Sequence, residues 1–300
     1  MFSLTSGIVW ILGVIGVLGC VIVVGMLIFQ RRFIYVSYFP PGSRSRVDTP
    51  DQWGMSNWEN VHLHSADGTL LHAYWIGFEA PGSASKARAT VLFCHANAGN
   101  MGHRLGTIAL MRQALQCNVL IFSYRGYGLS ANVEPTENGL KADAEAAFQW
   151  LLQRNTEKLP IALYGQSIGG AVAIWLAYRF PESIQLLAVE NSFTSLPALV
   201  PVHFPWLAPF VRFCTERWES SLYLEKMLRL RSAGAKVPFV LLLAGEKDEV
   251  VPTHQMLKLA EICKREGAKF KLCLFVQGRH NDTWMQNGYF DAFPAVAYSD

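Results

Sequence analysis

Residues 161–177 read as a short apolar strand, a tight turn and an apolar helix, with Ser167 at the tip of the turn. Gly165 and Gly169 flank the serine in a Gly-x-Ser-x-Gly pattern. A sharp turn from strand to helix strains the backbone at its tip, and glycines on both sides remove Cβ atoms that would clash there. The pattern therefore predicts a serine whose hydroxyl stands above a sheet, as a nucleophile does. A plain strand–turn–helix with an incidental serine is the alternative.

Apolar strands alternate with helices along most of the remaining chain, and this alternation predicts the class of fold. Two strands, at residues 58–63 and 70–76, are joined by the hairpin turn Ala66-Asp67-Gly68. Helical segments separate six further strands, at residues 89–95, 118–124, 159–164, 186–189, 237–243 and 270–275. An antiparallel start followed by strand–helix alternation predicts an α/β fold with a mostly parallel central sheet flanked by helices.

The composition narrows the class of protein. The 300 residues are 51% hydrophobic and 16% charged, which excludes a disordered chain. A formal net charge of +3, with no run of five like charges, gives no reason to expect nucleic acid as a partner. The six cysteines match no zinc-binding spacing, and we expect neither a metal nor a cofactor.

Two further polar residues follow strands, which is where active-site residues lie in a mostly parallel sheet. Ligands of such sheets bind beyond the carboxyl ends of the strands. Asp248 follows the strand at 237–243, and His280 follows the last strand. The order serine, aspartate, histidine is the order that α/β hydrolases use. We predict Ser167 as the nucleophile, His280 as its base and Asp248 as the residue that orients the imidazole. Glu190, at the end of another strand, is the alternative acid.

The segment after the first parallel strand is the next candidate part of the site. His95 ends this strand and is followed by Ala96-Asn97-Ala98-Gly99-Asn100. We predict that His95 anchors the loop and that the backbone N–H groups of Asn97 and Ile168 form an oxyanion hole. Ile168 begins the helix after the serine, where free N–H groups and the helix dipole favour negative charge.

A second glycine-rich segment suggests a different ligand. Residues 126–131 read Gly-Tyr-Gly-Leu-Ser-Ala and match the G-x-G-x-x-A fingerprint of dinucleotide-binding folds. No acidic residue ends a strand about 20 residues later, and Pro135 follows closely. We therefore expect a tight loop beside the active site and not a cofactor site.

The N-terminal region is not typical of a globular domain. Residues 8–29 form an uncharged apolar run that, as a helix, spans about 33 Å, enough for the roughly 30 Å hydrocarbon core of a bilayer. No charged residue precedes the run, which disfavours a cleaved signal peptide. We predict a membrane anchor at residues 1–30, a linker and domain entry at 31–57, and the main domain at 58–300.

Charges beside this run predict the topology. Arg31 and Arg32 follow an uncharged N-terminus, so the positive-inside rule places the main domain in the cytoplasm. A lumenal domain is the alternative. The protein is then expected to be a single-pass protein of an endomembrane or of the plasma membrane.

An insertion at about residues 194–236 separates two of the predicted strands. A proline at every fourth position from Pro197 to Pro209 excludes one long regular helix. Phe204, Trp206 and Phe210 are among the apolar side chains between them, and we predict that these three contact a substrate. A fatty chain gains roughly 0.8 kcal/mol for each CH₂ that it buries. The alternative is an insertion that merely packs on the domain.

Four motifs resemble those of a known family. They lie at residues 95–104 (HANAGNMGHR), 123–130 (SYRGYGLS), 163–170 (LYGQSIGG) and 280–283 (HNDT). They resemble the membrane-anchored α/β hydrolases of the fungal "bud emergence" type, whose animal relatives are the α/β-hydrolase-domain proteins numbered thirteen and seventeen. The resemblance covers nearly the whole chain. It implies the α/β-hydrolase fold, with a lid-like insertion and an N-terminal transmembrane helix. Ala96 departs from this family, which usually has glycine there.

The resemblance also implies an activity. Relatives act as, or are assigned as, protein depalmitoylases, which cleave a fatty acyl thioester from cysteine. We expect a membrane-tethered serine hydrolase that cleaves acyl esters or thioesters through an acyl-serine intermediate. A serine peptidase, a lipase or esterase on the same fold, and an inactive interaction protein are the alternatives. The expected partners are the lipid bilayer and an acylated protein or lipid ester, without nucleic acid.

Overall fold

One central sheet of eight strands organises the protein. The computed structural model describes residues 4–79 and 86–294. The strands are β1 (Trp58–His64), β2 (Leu70–Ile76), β3 (Ala89–Cys94), β4 (Cys117–Phe122), β5 (Ile161–Gln166), β6 (Leu186–Glu190), β7 (Phe239–Gly245) and β8 (Phe270–Phe275). Their order across the sheet is β1-β2-β4-β3-β5-β6-β7-β8.

The strand directions confirm the predicted α/β class. β2 runs antiparallel to both β1 and β4. All other neighbouring strands are parallel, and the register of the central strands pairs Cys94 with Gly165 and Gly165 with Val189. The carboxyl ends of β3, β5 and β6 therefore meet at one edge of the sheet, together with those of β7 and β8.

Helices cover both faces of this sheet. The helices of the described residues are α1 (Leu4–Ile28), α2 (Gln30–Ile34), α3 (Leu105–Leu115), α4 (Glu137–Arg154), α5 (Ile168–Arg179), α6 (Leu196–His203), α7 (Ser220–Arg229) and α8 (His254–Arg265), of which α3, α4, α5, α7 and α8 cover the sheet. One apolar core lies beneath α4, α5, α7 and α8, and a second core lies beneath α3 on the opposite face. Every residue of β5 is buried, as expected of a parallel strand covered on both sides.

The predicted insertion divides into two parts. Its first part holds α6 and the 3₁₀ helix Pro205–Phe213, so the proline-rich stretch forms no single long helix. Its second part holds α7, whose Leu224, Met227 and Leu228 are buried in the core of the domain. The second part therefore belongs to the core of the domain, and a lid formed by the first part stays a prediction.

The N-terminal residues form α1 and the short α2. Within α1, the side chains of residues 4–9, 11 and 20 lie outside the described part of the chain. Over the residues that are described, no helix is both long and apolar enough to cross a membrane. The predicted transmembrane helix is therefore not confirmed.

A buried histidine in β2 lacks hydrogen-bond partners. His72 is 3% exposed, and neither ring nitrogen has a partner among the described residues. The ring packs edge-on against Tyr74, with 5.0 Å between ring centroids. Burial lowers the pKa of His72 to about 4, so the ring stays neutral at pH 7.

The His72→Phe variant should be more stable than the wild type, because it removes buried polar atoms that lack partners. We expect a gain of about 1 kcal/mol in the free energy of unfolding at pH 8. The gain should grow as the pH falls below about 6.5, since the unfolded histidine then binds a proton that the folded ring binds only near pH 4. Urea unfolding at pH 8 and pH 5.5 measures both effects. His64→Phe, at an exposed position of β1, is the control, and an equal pH effect in both variants would contradict this account.

Candidate active site

Ser167 occupies a strained turn between β5 and α5. Its backbone angles are φ 56° and ψ −122°, outside the regions that residues with side chains ordinarily adopt. Gln166 ends the strand immediately before it, and Ile168 begins the helix immediately after it. This is the conformation of the nucleophile turn in α/β hydrolases, which presents a serine hydroxyl at the end of a strand.

The two flanking glycines permit this turn by removing side chains from close contacts. A Cβ atom at Gly165 would lie 2.1 Å from the carbonyl oxygen of Gly169. A Cβ atom at Gly169 would lie 2.1 Å from the carbonyl oxygen of Cys94, at the end of β3. Both contacts are with backbone atoms, which cannot move aside as a flexible side chain can. Glycine is therefore required at both positions.

The structure brings Asp248 and His280 together. Nδ1 of His280 lies 2.8 Å from Oδ2 and 3.0 Å from Oδ1 of Asp248, and both side chains are almost fully buried. Oδ1 of Asp248 also accepts hydrogen bonds from the backbone N–H groups of Val250 and Val251, at 2.8 and 2.7 Å. These bonds fix the carboxylate, which in turn fixes the imidazole and leaves Nε2 as the nitrogen available to a substrate or to a serine.

Glu190, the alternative acid, is hydrogen-bonded to residues other than His280. It is fully buried and accepts hydrogen bonds from the hydroxyls of Tyr164, at 2.6 Å, and Tyr289. Its other oxygen accepts from the amide of Gln166 at 3.1 Å. Burial raises the pKa of Glu190 above its usual range. Asp248, and not Glu190, is therefore the acid that contacts the imidazole of His280.

Side-chain amides hold the loop that carries His280 (the histidine loop) beside the turn that carries Ser167 (the serine turn). The carbonyl of His280 accepts from Nε2 of Gln166 at 2.9 Å and from Nδ2 of Asn191 at 3.2 Å. Gln166 directly precedes Ser167, so the backbone of His280 is bonded to the neighbour of the nucleophile candidate. No hydrogen bond joins the Ser167 hydroxyl to the His280 ring among the described residues. Such bonds often tighten only when substrate is bound.

Asn191 is a site residue that the sequence analysis missed. It has a positive φ of 46° directly after β6. Its Oδ1 accepts from the backbone N–H of Gly245 at 2.8 Å, and its Nδ2 donates to Thr283 Oγ1 at 2.9 Å. Asn191 thus links β6, the end of β7 and the histidine loop. Its position after a strand is the one sequence signal that could have suggested this role.

The predicted oxyanion donors lie at the ends of β3 and β5. Neither backbone N–H, of Asn97 or of Ile168, has a partner among the described residues. The side chain of Asn97 is held on both sides, since Oδ1 accepts from the Tyr127 hydroxyl at 2.7 Å and Nδ2 donates to the carbonyl of Ile34. Both N–H groups are thus available to an anion, and the loop that carries Asn97 is fixed.

The rest of this loop explains how it accommodates Ala96. Ala96 is buried and does not adopt a positive φ, so its backbone does not require glycine. Gly99 does, with φ 84°, and a Cβ there would lie 2.4 Å from the ring of His103. His95 bonds the Ala96 carbonyl through Nδ1 at 2.7 Å, and burial lowers the pKa of His95 to about 3. A ring so buried and neutral holds the loop and is unsuited to act as a base.

The predicted linker at residues 31–57 is packed against this loop. The backbone N–H of Gly99 donates to the carbonyl of Phe39 at 2.7 Å. The amide of Asn100 donates to the carbonyls of Ser43 and Arg46, both at 2.8 Å. Together with the Asn97–Ile34 bond, these contacts make residues 34–46 a structural part of the candidate site, which the sequence analysis did not foresee.

The loop at residues 126–131 borders the same site. Its Tyr127 is the residue that bonds Asn97. A Cβ at Gly126 would lie 2.7 Å from the carbonyl of Val133 and from the ring of Pro135, so the loop is tightly folded on itself. Within residues 4–79 and 86–294, no group of three or more His, Cys, Asp or Glu side chains could hold a metal ion.

The three predicted substrate contacts do not lie together. Phe204 and Phe210 line an apolar cavity of about 140 Å³ between the insertion and the N-terminal helices. Trp206 is 51% exposed and does not line it. Ser167 does not line the cavity either.

Comparison with known proteins identifies the family. The alpha/beta hydrolase fold family matches residues 89–208. Protein bem46 of Schizosaccharomyces pombe is 42% identical over 265 residues, which cover 87% of this chain and 83% of the relative. The chain belongs to the Bem46 family of α/β-hydrolase-fold proteins. Another member, the uncharacterized membrane protein YNL320W of Saccharomyces cerevisiae, is 36% identical over 88% of this chain and 87% of its own.

Solved structures support the same fold. The esterase Pf2001 of Pyrococcus furiosus superposes with a TM-score of 0.59 at 21% identity, over 80% of this chain and 91% of its own. A puromycin-hydrolyzing peptidase of Mycobacterium tuberculosis superposes with a TM-score of 0.58 at 19% identity, over 78% of this chain and 37% of its own. At such identities these likenesses establish the fold of the Bem46-family chain and not its substrate.

Replacing Gly169 tests the close packing of the serine turn. The Gly169→Ala variant should lose about 3 kcal/mol of unfolding free energy, because its Cβ would press on the Cys94 carbonyl. Gly234→Ala is a matched control, since Gly234 has a positive φ of 89° but no atom within 4 Å of its Cβ position. That control should lose about 1 kcal/mol. Urea unfolding measures both, and equal losses would refute the packing argument.

Proposed function

We propose that this protein is a membrane-tethered serine hydrolase that cleaves acyl esters or thioesters through an acyl-Ser167 intermediate. The observation that carries the proposal is the Asp248–His280 pair, whose loop is hydrogen-bonded to the strand end that carries the strained serine. Serine, histidine and aspartate in these roles form the nucleophile, base and orienting acid of acyl transfer.

The proposed reaction has two halves. Nε2 of His280 takes the hydroxyl proton of Ser167, and Oγ attacks the acyl carbonyl carbon. The backbone N–H groups of Asn97 and Ile168 donate to the carbonyl oxygen as it becomes negatively charged. His280 then protonates the departing thiolate or alkoxide, which leaves the acyl group on Ser167. Water, deprotonated by His280, releases the carboxylic acid and restores the serine.

The substrate class is proposed from the apolar side chains of the insertion. The insertion presents large apolar side chains, and Phe204 and Trp206 are 45% and 51% exposed. An acyl chain gains free energy from contact with such side chains, whereas a polar peptide gains little. A protein depalmitoylase, which acts on fatty acyl thioesters, fits these surroundings. The peptidase likeness keeps peptide bond cleavage as the second candidate.

A comparison of substrates with active-site variants tests this proposal. The wild-type protein should hydrolyse a palmitoyl thioester with a much higher kcat/KM than an aminoacyl anilide. Asp248→Asn should lower kcat by about 10³- to 10⁴-fold, because the imidazole loses its orienting carboxylate. Asp282→Asn is the matched control, since Asp282 accepts from the Arg279 backbone and does not contact the His280 ring. Faster anilide than thioester cleavage would favour the peptidase, and full activity in Asp248→Asn would contradict the mechanism.

We also propose that residues 8–29 anchor the protein in a membrane, with the main domain in the cytoplasm. Support comes from the uncharged apolar sequence and from the exposure of its described side chains, such as Trp10, Leu12 and Val17. The relative YNL320W carries the name of a membrane protein. A cytoplasmic domain would have access to proteins that are acylated on cytoplasmic cysteines.

Charged substitutions in the apolar run test the anchor. The wild-type protein should remain with membranes after carbonate extraction. Val14→Arg with Val17→Arg should release it, since each arginine costs roughly 2.5–3.5 kcal/mol in a membrane-spanning helix. Val133→Arg with Val276→Arg, at two exposed positions of the main domain, is the control and should not release it. Release of the wild-type protein by carbonate would refute the anchor. Protease added outside sealed, cytosol-side-out vesicles should digest the main domain. Protection of the domain there would show that it lies in the lumen.

A further inference from the structure

An apolar groove runs between the N-terminal helices and the insertion. One wall is formed by the end of α1 and by α2, with Leu27, Phe33 and Ile34. The other wall is formed by α6 and the 3₁₀ helix Pro205–Phe213. Apart from Gln30, the side chains that line it are apolar or carry the thiol of Cys214. A surface of this composition favours an apolar ligand.

The groove is linked to a predicted oxyanion donor through Ile34. Ile34 lines the groove, and its backbone carbonyl accepts a hydrogen bond from the side chain of Asn97. Asn97 is one of the two predicted oxyanion donors, so a residue of the groove wall is hydrogen-bonded to a residue that is expected to contact the substrate carbonyl.

The other end of the groove opens towards the apolar helix α1. Its rim carries Phe33, which is 63% exposed, and Phe204, which is 45% exposed. Beyond the rim, most described side chains of α1 are exposed and apolar, including Val21, Ile22 and Val24. Apolar side chains thus extend from the lining of the groove onto the exposed surface of α1.

Polar contacts hold the two walls in place. The carboxylate of Glu216, in the insertion, accepts from Arg31 at 2.9 Å and from the Tyr35 hydroxyl at 2.6 Å. The side chain of Gln30 accepts from the backbone N–H of Thr215 at 2.8 Å. The walls are thus joined by three hydrogen bonds, of which the one from Tyr35 is buried, the one from Arg31 is half-buried and the one to Gln30 is exposed.

We propose that this groove binds the acyl chain of the substrate while its carbonyl lies at Ser167. This inference rests on the proposed hydrolase function and adds the path that the acyl chain of the substrate takes. The juxtamembrane helix α2 is then part of the substrate site as well as part of the tether. An acyl chain that leaves a membrane beside α1 would then enter the groove without passing through water.

Filling the groove should remove the preference for long chains. Val200 lines the groove and Val202, two residues later on α6, does not and is 42% exposed. The full-length Val200→Trp variant should lose at least tenfold in kcat/KM for p-nitrophenyl palmitate and keep its kcat/KM for p-nitrophenyl butyrate. Tenfold corresponds to the loss of about two buried methylene groups. The matched control, Val202→Trp, should keep both activities.

A second filling variant and the pattern of outcomes decide the proposal. Leu207→Trp, on the same wall, should repeat the selective loss. Unchanged palmitate cleavage in both variants, or equal loss of both esters in both, would overturn the groove as the acyl site. A change confined to membrane binding or to oligomeric state would assign it to another occupant and also overturn the proposal. If the wild-type protein cleaves neither ester, the proposed function itself fails.

Discussion

Helix α5 lies so close to strands β3 and β5 that no side chain fits at the two points of contact, Gly165 and Gly169. The candidate site depends on this approach. It forces the chain to reverse within one residue, and Ser167 takes the strained conformation that results. It also brings the free N–H of Ile168 beside the carboxyl end of β3, where Asn97 follows. The candidate nucleophile and the predicted oxyanion donors thus depend on one packing contact.

The remaining parts of the site are fastened to the same edge of the sheet by buried polar side chains. Gln166 and Asn191 hold the carbonyl of His280, and Asp248 holds its ring. On the opposite side, residues 34–46 hold the loop at residues 96–100 (the oxyanion loop) through hydrogen bonds to its backbone and to its side-chain amides. Because this segment directly follows the proposed anchor, that anchor and the loops of the candidate site are connected by hydrogen bonds. A hydrolase built in this way would keep its site in a fixed position relative to the membrane surface.

The sequence predicts the sheet and the contact between Asp248 and His280 well, because both depend on local signals. Apolar runs mark the strands, and Asp248 and His280 each follow one directly, so the shared edge of a parallel sheet brings them together. The bounds shift slightly, as in β5, predicted at 159–164 and found at Ile161–Gln166.

Contacts between distant residues could not be predicted in the same way. The bonds of Asn191 reach a loop about ninety residues away, and no local pattern encodes them. Residues 31–57 have the composition of a linker, yet part of this segment is bonded to the oxyanion loop. The sequence also predicts one insertion at residues 194–236, although its two parts lie in different environments. Apolar residues alone do not tell them apart, since Val200 lines a groove and Leu224 is buried in the core.

The central claim is that Ser167 is a nucleophile activated by His280. Labelling with a fluorophosphonate, followed by mass spectrometry of the modified peptide, tests this claim without knowledge of the substrate. The account predicts a single adduct on Ser167, no adduct in Ser167→Ala, and strongly slowed labelling in His280→Ala. Labelling of Ser167→Ala at the wild-type rate, or of His280→Ala without any loss of rate, would contradict it.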